Sequence, residues 1–185
     1  MKPRILNVGC GKEDYGTDFL DIYPSRKEVI RVDLQKERFP FKNNAFDEVY
    51  SRSVFEHLKN PGKFIEECKR VLRRKGKLTI ITDNAAYYRF HIDFFKKDVG
   101  VHYERYDENG KLIRIRSGPN DKHYLLSTTL HLRNFLLDSG FKIIEIKYLD
   151  DSYSENGAKK PWDLFFSLFS NRLAYRFIKI VGEKS

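Results

Sequence analysis

Two cysteines in 185 residues are too few for a disulfide framework or a structural zinc site, so Cys10 and Cys68 are expected as free thiols. No apolar run approaches the roughly 18 residues that cross a bilayer, which argues against an integral membrane segment. The stretch after Met1-Lys2-Pro3-Arg4 holds too short an apolar run for a secretory leader, and a cytoplasmic location is expected. Internal repeats and low-complexity tracts are missing, which excludes solenoids and fibrous arrays. Acidic residues are outnumbered, 26 Asp and Glu against 35 Lys and Arg, a net charge of +9. That balance permits an anionic partner such as nucleic acid, a phosphorylated sugar or a membrane surface; a basic face kept for solubility accounts for it equally well.

What is present fits one globular domain, residues 1–185. Ile5–Val8 reads as a short buried strand, followed by strands at Phe19–Asp21, Val29–Leu34 and Phe46–Ser51, the last after the turn residues Asn43-Asn44. Asn60–Leu72 is the clearest helix: Asn60 caps it, Pro61 suits its first turn, and Phe64, Ile65, Cys68, Val71 and Leu72 share one face. Arg73, Arg74 and Lys75 suit its C-terminal end and Gly76 stops it. Lys77–Thr82 is a strand, Thr128–Ser139 a helix, and Phe141–Leu149 and Leu173–Val181 are the closing strands, with an antiparallel pairing at one edge. The expected fold is a three-layer, Rossmann-like α/β domain with a mostly parallel seven-stranded sheet, an antiparallel last strand and a truncated first helix. Residues 84–126 break the pattern and read as a lid, with a hairpin turning at Asn109-Gly110.

Asn7-Val8-Gly9-Cys10-Gly11 ends the first strand, where an open parallel sheet binds ligands. Glycines there let backbone N–H groups approach a ligand. A carboxylate further on would grip ribose hydroxyls, and Asp21 and Asp33 are both candidates. Residues 12–28 contain Gly16 and Pro24 and show no apolar helical face, so the second strand is placed at Phe19–Asp21. Asp21 then ends strand two and Asp33 ends strand three, and the two acids can serve one nucleoside.

The run "LNVGCG" (6–11), "LDIYPS" (20–25), "VDLQKERFPFKNNAFDEVYSRSVFEHL" (32–58) and "FIEECKRVLRRKGKLTI" (64–80) resembles class I S-adenosylmethionine-dependent methyltransferases of the small UbiE-like, type 11 kind. The resemblance is dense over about the first 82 residues and only an outline later. It implies S-adenosylmethionine as cofactor and S-adenosylhomocysteine as product. It assigns the methionine side to Asn7, Gly9, Cys10, Gly11 and Ser51, ribose to Asp21, and adenine to Asp33 between Ile22 and Leu34. Three positions depart from the pattern: Asn7 stands in place of an acid, Glu13 in place of a third glycine, and Arg74-Lys75-Gly76 in place of Pro-Gly-Gly.

Methyl transfer asks the protein mainly to align a nucleophile and exclude water; a base is needed only where the acceptor keeps its proton. The lid offers Asp83, Tyr87, Tyr88 and His91, then His102 and Tyr103, then His123 and Tyr124. Of these, Asp83, His91 and His102 are the catalytic candidates. No metal site is expected, since Glu56-His57 is not an HExxH motif; its expected role is to hold a helix start near the cofactor. The acceptor is unidentified: a small molecule, glycan or nucleic acid, with anionic ones suited to Lys111, Arg114 and Arg116. The apolar stretch 161–169 packs on the sheet, or supports a homodimer or a lipid-like acceptor. Two other classes fit less of the pattern. One is a non-catalytic nucleic-acid-binding protein on a methyltransferase-like fold. The other is an NAD-dependent oxidoreductase, which lacks here its third glycine and its phosphate-binding first helix.

Overall fold

The computed structural model describes residues 2–91, 105–106, 112–114, 123–150 and 161–185, with backbone alone for 105–106 and 112–114. Seven strands form one sheet: β1 (Ile5–Val8), β2 (Asp18–Asp21), β3 (Val29–Arg31), β4 (Phe46–Arg52), β5 (Leu72–Asp83), β8 (Phe141–Leu149) and β9 (Phe177–Lys184). Their order is β3-β2-β1-β4-β5-β9-β8. β1 to β5 pair in parallel, and β9 runs antiparallel to both β5 and β8. The Rossmann-like sheet with an antiparallel last strand is therefore as read from the sequence. β6 (Arg105–Tyr106) and β7 (Leu112–Arg114) pair antiparallel as the expected hairpin, whose turn lies outside the described residues.

Helix α1 (Pro61–Val71) starts where Asn60 accepts a bond from the Lys63 N–H, and it buries Phe64, Ile65, Cys68 and Val71. Helix α2 (Thr129–Asp138) is capped by Thr128, whose hydroxyl takes the His131 N–H, and it buries Leu132 and Leu136. Both faces join one core with Leu6, Val8, Leu20, Val49, Leu78, Ile80, Ile178 and Ile180. Each such side chain contributes about 1.5–3 kcal/mol on burial. Strand alternation puts Ile81, Leu149 and Phe177 on the opposite face, beside Tyr50. The truncation expected of the first helix extends further. The connections from β1 to β2, β2 to β3 and β3 to β4 all run without a helix.

Several boundaries differ from expectation. β3 ends at Arg31, not Leu34. α1 stops at Val71 because Leu72 turns extended (φ −70°, ψ 136°) and pairs with Phe46, so β5 begins five residues before Lys77. Arg73, Arg74 and Lys75 thus lie beyond the helix; Arg73 pairs with Asp47, and Lys75 takes the left-handed φ of +62°. Leu173 does not open the last strand. The Ser170 hydroxyl accepts from the Arg172 N–H and starts helix α4 (Asn171–Ala174) after α3 (Pro161–Ser167), so β9 waits until Phe177.

Candidate active site

The loop after β1 is built around two left-handed glycines. Gly9 (φ +73°) donates its N–H to the Leu20 carbonyl at 2.8 Å, and a Cβ on it would collide with the Val54 side chain. Gly11 (φ +53°) has open space where a Cβ would stand. Its N–H donates to Asp21 Oδ2 at 2.8 Å, while Asp21 Oδ1 accepts from the Tyr23 N–H at 2.8 Å. The acid ending β2 therefore shapes the glycine loop. Cys10 is buried between the glycines, and burial first, then the Asp21 charge, pushes its thiol up.

Asn7 is fully buried and donates from Nδ2 to the Tyr15 carbonyl at 2.9 Å and to Glu13 at 3.3 Å. Glu13 in turn pairs with Arg52 on β4. Asn7 and Glu13, each a departure from the resembled pattern, are thus bonded to each other. Asn7 Oδ1 and the buried Ser51 hydroxyl have no hydrogen-bond partner among the described residues. Two residues beyond β3, Asp33 Oδ1 accepts from the Gln35 N–H at 3.0 Å. Leu34 is buried in the core, whereas Ile22 is 38% exposed. The open face of Gly11, two orphaned polar oxygens on β1 and β4, and two acids at neighbouring strand ends fit a nucleoside bearing a polar amino-acid tail.

A second group of side chains gathers at the carboxyl ends of β4 and β5. Glu56, 2% exposed, sits in the 3-10 turn Phe55–His57 and accepts the Thr82 hydroxyl at 2.7 Å. Burial, and next the Asp83 charge, raise its carboxyl to about 7 against the Thr82 bond, its backbone bond and His123. Asp83, also 2% exposed, faces His123 Nδ1 at 3.3 Å and Arg176 Nε at 3.5 Å. The His57 and His123 rings meet edge to face, centroids 4.5 Å apart. The returning chain is stitched in place by its backbone: the Tyr124 and Leu125 N–H groups donate to the Glu56 carbonyl at 2.8 and 3.1 Å.

Asp83 is therefore placed inside a polar cluster, but its histidine is His123. His91 is exposed on a helical turn, and His102 lies outside the described residues. Sequence reasoning missed Glu56, because only the fold turns that carboxyl inward. Tyr87, Tyr88 and Phe90 are buried together against Leu126 and Phe166, with Tyr88 stacked on Phe166 at 4.3 Å. Trp162, Leu164, Phe165, Leu168 and Phe169 of the 161–169 stretch are exposed rather than packed on the sheet.

Residues 26–80 match the Methyltransferase domain family. The chain is 46% identical over 90 residues to an uncharacterized protein of Methanocaldococcus jannaschii, covering 43% of this chain and 44% of that one. It is 32% identical over 101 residues to a "Probable S-adenosylmethionine-dependent methyltransferase" of Mycobacterium tuberculosis, covering 43% and 35%. The chain spans less than half the length of these curated relatives. Its fold is similar to that of a Thermotoga maritima structure described as a SAM-dependent methyltransferase, possible histamine N-methyltransferase. The TM-score is 0.64 at 15% identity, over 100% of this chain and 83% of that one. Residues 26–80 thus carry a methyltransferase family match, and the fold is similar to that of solved structures described as S-adenosylmethionine-dependent methyltransferases. The Mycobacterium tuberculosis relative and the Thermotoga maritima structure are both described as S-adenosylmethionine-dependent. Among the described residues, no helix is long and apolar enough to cross a membrane.

Proposed function

We propose that the protein transfers a methyl group from S-adenosylmethionine to an acceptor held at the carboxyl ends of β4 and β5. The observation that carries this reading is the Gly11–Asp21 bond, which joins the open glycine loop to an acid at the end of β2. When bound, the cofactor supplies a methyl group already activated on a sulfonium. Asp21 would accept from the ribose hydroxyls, keeping its loop bonds. Asp33 would accept from the adenine amino group, with Ile22 and Leu34 on the two faces of the ring. Asn7 Oδ1 and the Ser51 hydroxyl would take polar atoms of the amino-acid tail, which supplies the partners those buried oxygens lack. Asp83 and His123, 3.3 Å apart, place a buried carboxylate and imidazole at the end of β5, where the acceptor would stand.

The net charge of +9 is compatible with an anionic acceptor, free or as part of a nucleic acid. Titration of S-adenosylhomocysteine and NAD into the purified protein tests the reading. Micromolar binding of the first with no heat from the second is the expected result. Binding of neither, together with salt-dependent capture of oligonucleotides, would replace it with a non-catalytic nucleic-acid-binding role.

A further inference from the structure

The polar cluster at the carboxyl ends of β4 and β5 also gathers side chains of metal-ligating type. Glu56, His57 and His123 each present one ligand atom, and the three atoms lie within 4.8 Å of one another. From this geometry we infer that Glu56, His57 and His123 form a binding site for a divalent transition-metal ion of the zinc type. Two imidazoles and one carboxylate are the donor set such ions prefer, and three protein ligands leave a coordination position open. The surroundings suit it. Asp83 Oδ2 lies 3.3 Å from His123 Nδ1, a carboxylate beside the ring of the kind that orients metal-ligating histidines. The Thr82 hydroxyl bonds Glu56 Oε2 at 2.7 Å and orients that carboxylate in the same way.

The three ligands come from two distant segments, and backbone bonds hold those segments together. His57 and Glu56 share the 3-10 turn before α1. His123 opens the stretch whose next two N–H groups donate to the Glu56 carbonyl. The ligand atoms therefore sit on rigid backbone, and contraction of a few tenths of an ångström to about 1 Å brings them to bonding separations of roughly 2.0–2.2 Å from a shared ion. A dication also offsets the Glu56 carboxylate, which shares its buried surroundings with Asp83. The site uses the chain's own side chains and does not depend on cofactor binding or on methyl transfer.

The test uses Co²⁺ and Zn²⁺ alone, added to full-length, untagged protein stripped by a chelator. One equivalent should bind with micromolar or better affinity. Co²⁺ should give visible d–d bands without a thiolate charge-transfer band, because Cys10 and Cys68 take no part. His123→Asn and His57→Gln should each weaken binding at least tenfold, and Asp83→Asn should weaken it about tenfold. His131→Gln, exposed on α2, should leave it unchanged. The thermal midpoint of the wild type should rise with added Zn²⁺ and that of folded His57→Gln should not, which keeps the test valid if His123→Asn fails to fold. Absence of stoichiometric binding, or equal binding by wild type and His57→Gln, overturns the site.

Discussion

Gly11 gives its N–H to Asp21 Oδ2 at 2.8 Å, so the turn after β1 and the end of β2 form one unit. A ligand that engages Asp21 is felt in the glycine loop, and a change in the loop is felt at Asp21. Replacing Asp21 by Ala should therefore weaken S-adenosylhomocysteine binding by about 10- to 100-fold, the scale of hydrogen bonds to a charged group. Asp21→Asn, which retains one acceptor oxygen, should lose less. Calorimetric affinities of the three proteins measure both differences.

The two loop glycines should respond differently to alanine. At Gly9 a Cβ would collide with the Val54 side chain in addition to the left-handed strain, so Gly9→Ala should cost about 2–4 kcal/mol in urea unfolding. At Gly11 the added methyl enters open space and only the φ strain applies, about 1–2 kcal/mol. Gly11→Ala should instead lose cofactor affinity out of proportion to its stability.

The paired departures Asn7 and Glu13 make a double-mutant test. Asn7→Asp restores the acid of the resembled pattern but aims a buried carboxylate at the Tyr15 carbonyl and the Glu13 carboxylate. It should destabilise the protein by about 2 kcal/mol or more at pH 7. Glu13→Gln in the same chain should recover part of that loss by donating to the new carboxylate. Additive effects in the cycle would show that the two sites are uncoupled.

Glu67 ties α1 to the loop ahead of β4. It pairs with Arg70 at 2.7 Å and accepts the Phe39 N–H at 2.8 Å, while Arg70 reaches the Phe39 and Phe41 carbonyls. Burial would raise its carboxyl, but the Arg70 and Phe39 bonds outweigh that and hold it below the usual glutamate value. A depressed folded value means that its stabilisation is full above the unfolded pKa, about 4.3, and is lost as pH falls through the folded one. Between pH 6 and 3 the wild type should lose more unfolding free energy than Glu67→Gln, which should already be weaker by about 1 kcal/mol at pH 7.

Asn84 links the end of β5 to the C-terminal segment. Its buried Nδ2 donates to the Arg172 and Tyr175 carbonyls at 2.7 and 2.8 Å, and its Oδ1 accepts the Ala86 N–H at 3.1 Å. Asn84→Ala strands three backbone groups and should cost about 2–4 kcal/mol in thermal or urea unfolding. A loss under 1 kcal/mol would mean that water replaces those bonds.

The parts of this molecule legible from sequence are those set by short-range chemistry. Gly9 and Gly11 follow an apolar strand directly, Asn60-Pro61 opens α1, and Asn44 takes the left-handed φ of +57° expected of a turn asparagine. Elements governed by distant pairing were misjudged. Leu72 leaves its helix to pair with Phe46, and Ser170 caps a helix where the apolar Leu173 and Ala174 suggest a strand. The Asp83–His123 contact joins residues far apart in the sequence, beside bridges such as that between Asn84 and Ser127. No periodicity records a pairing of that kind, so the sequence reading names His91 and His102 as candidates and leaves out His123.

Hydrogen exchange with and without S-adenosylhomocysteine tests the central claim most directly, because it reports where the ligand sits as well as whether it binds. Protection should rise in Val8–Glu13, Leu20–Tyr23 and Asp33–Gln35, with the Gly11 amide among the slowed positions, and it should vanish in Asp21→Ala. Protection confined to other segments, or none at saturating ligand, would contradict the assignment of the glycine loop and Asp21 to the methyl donor.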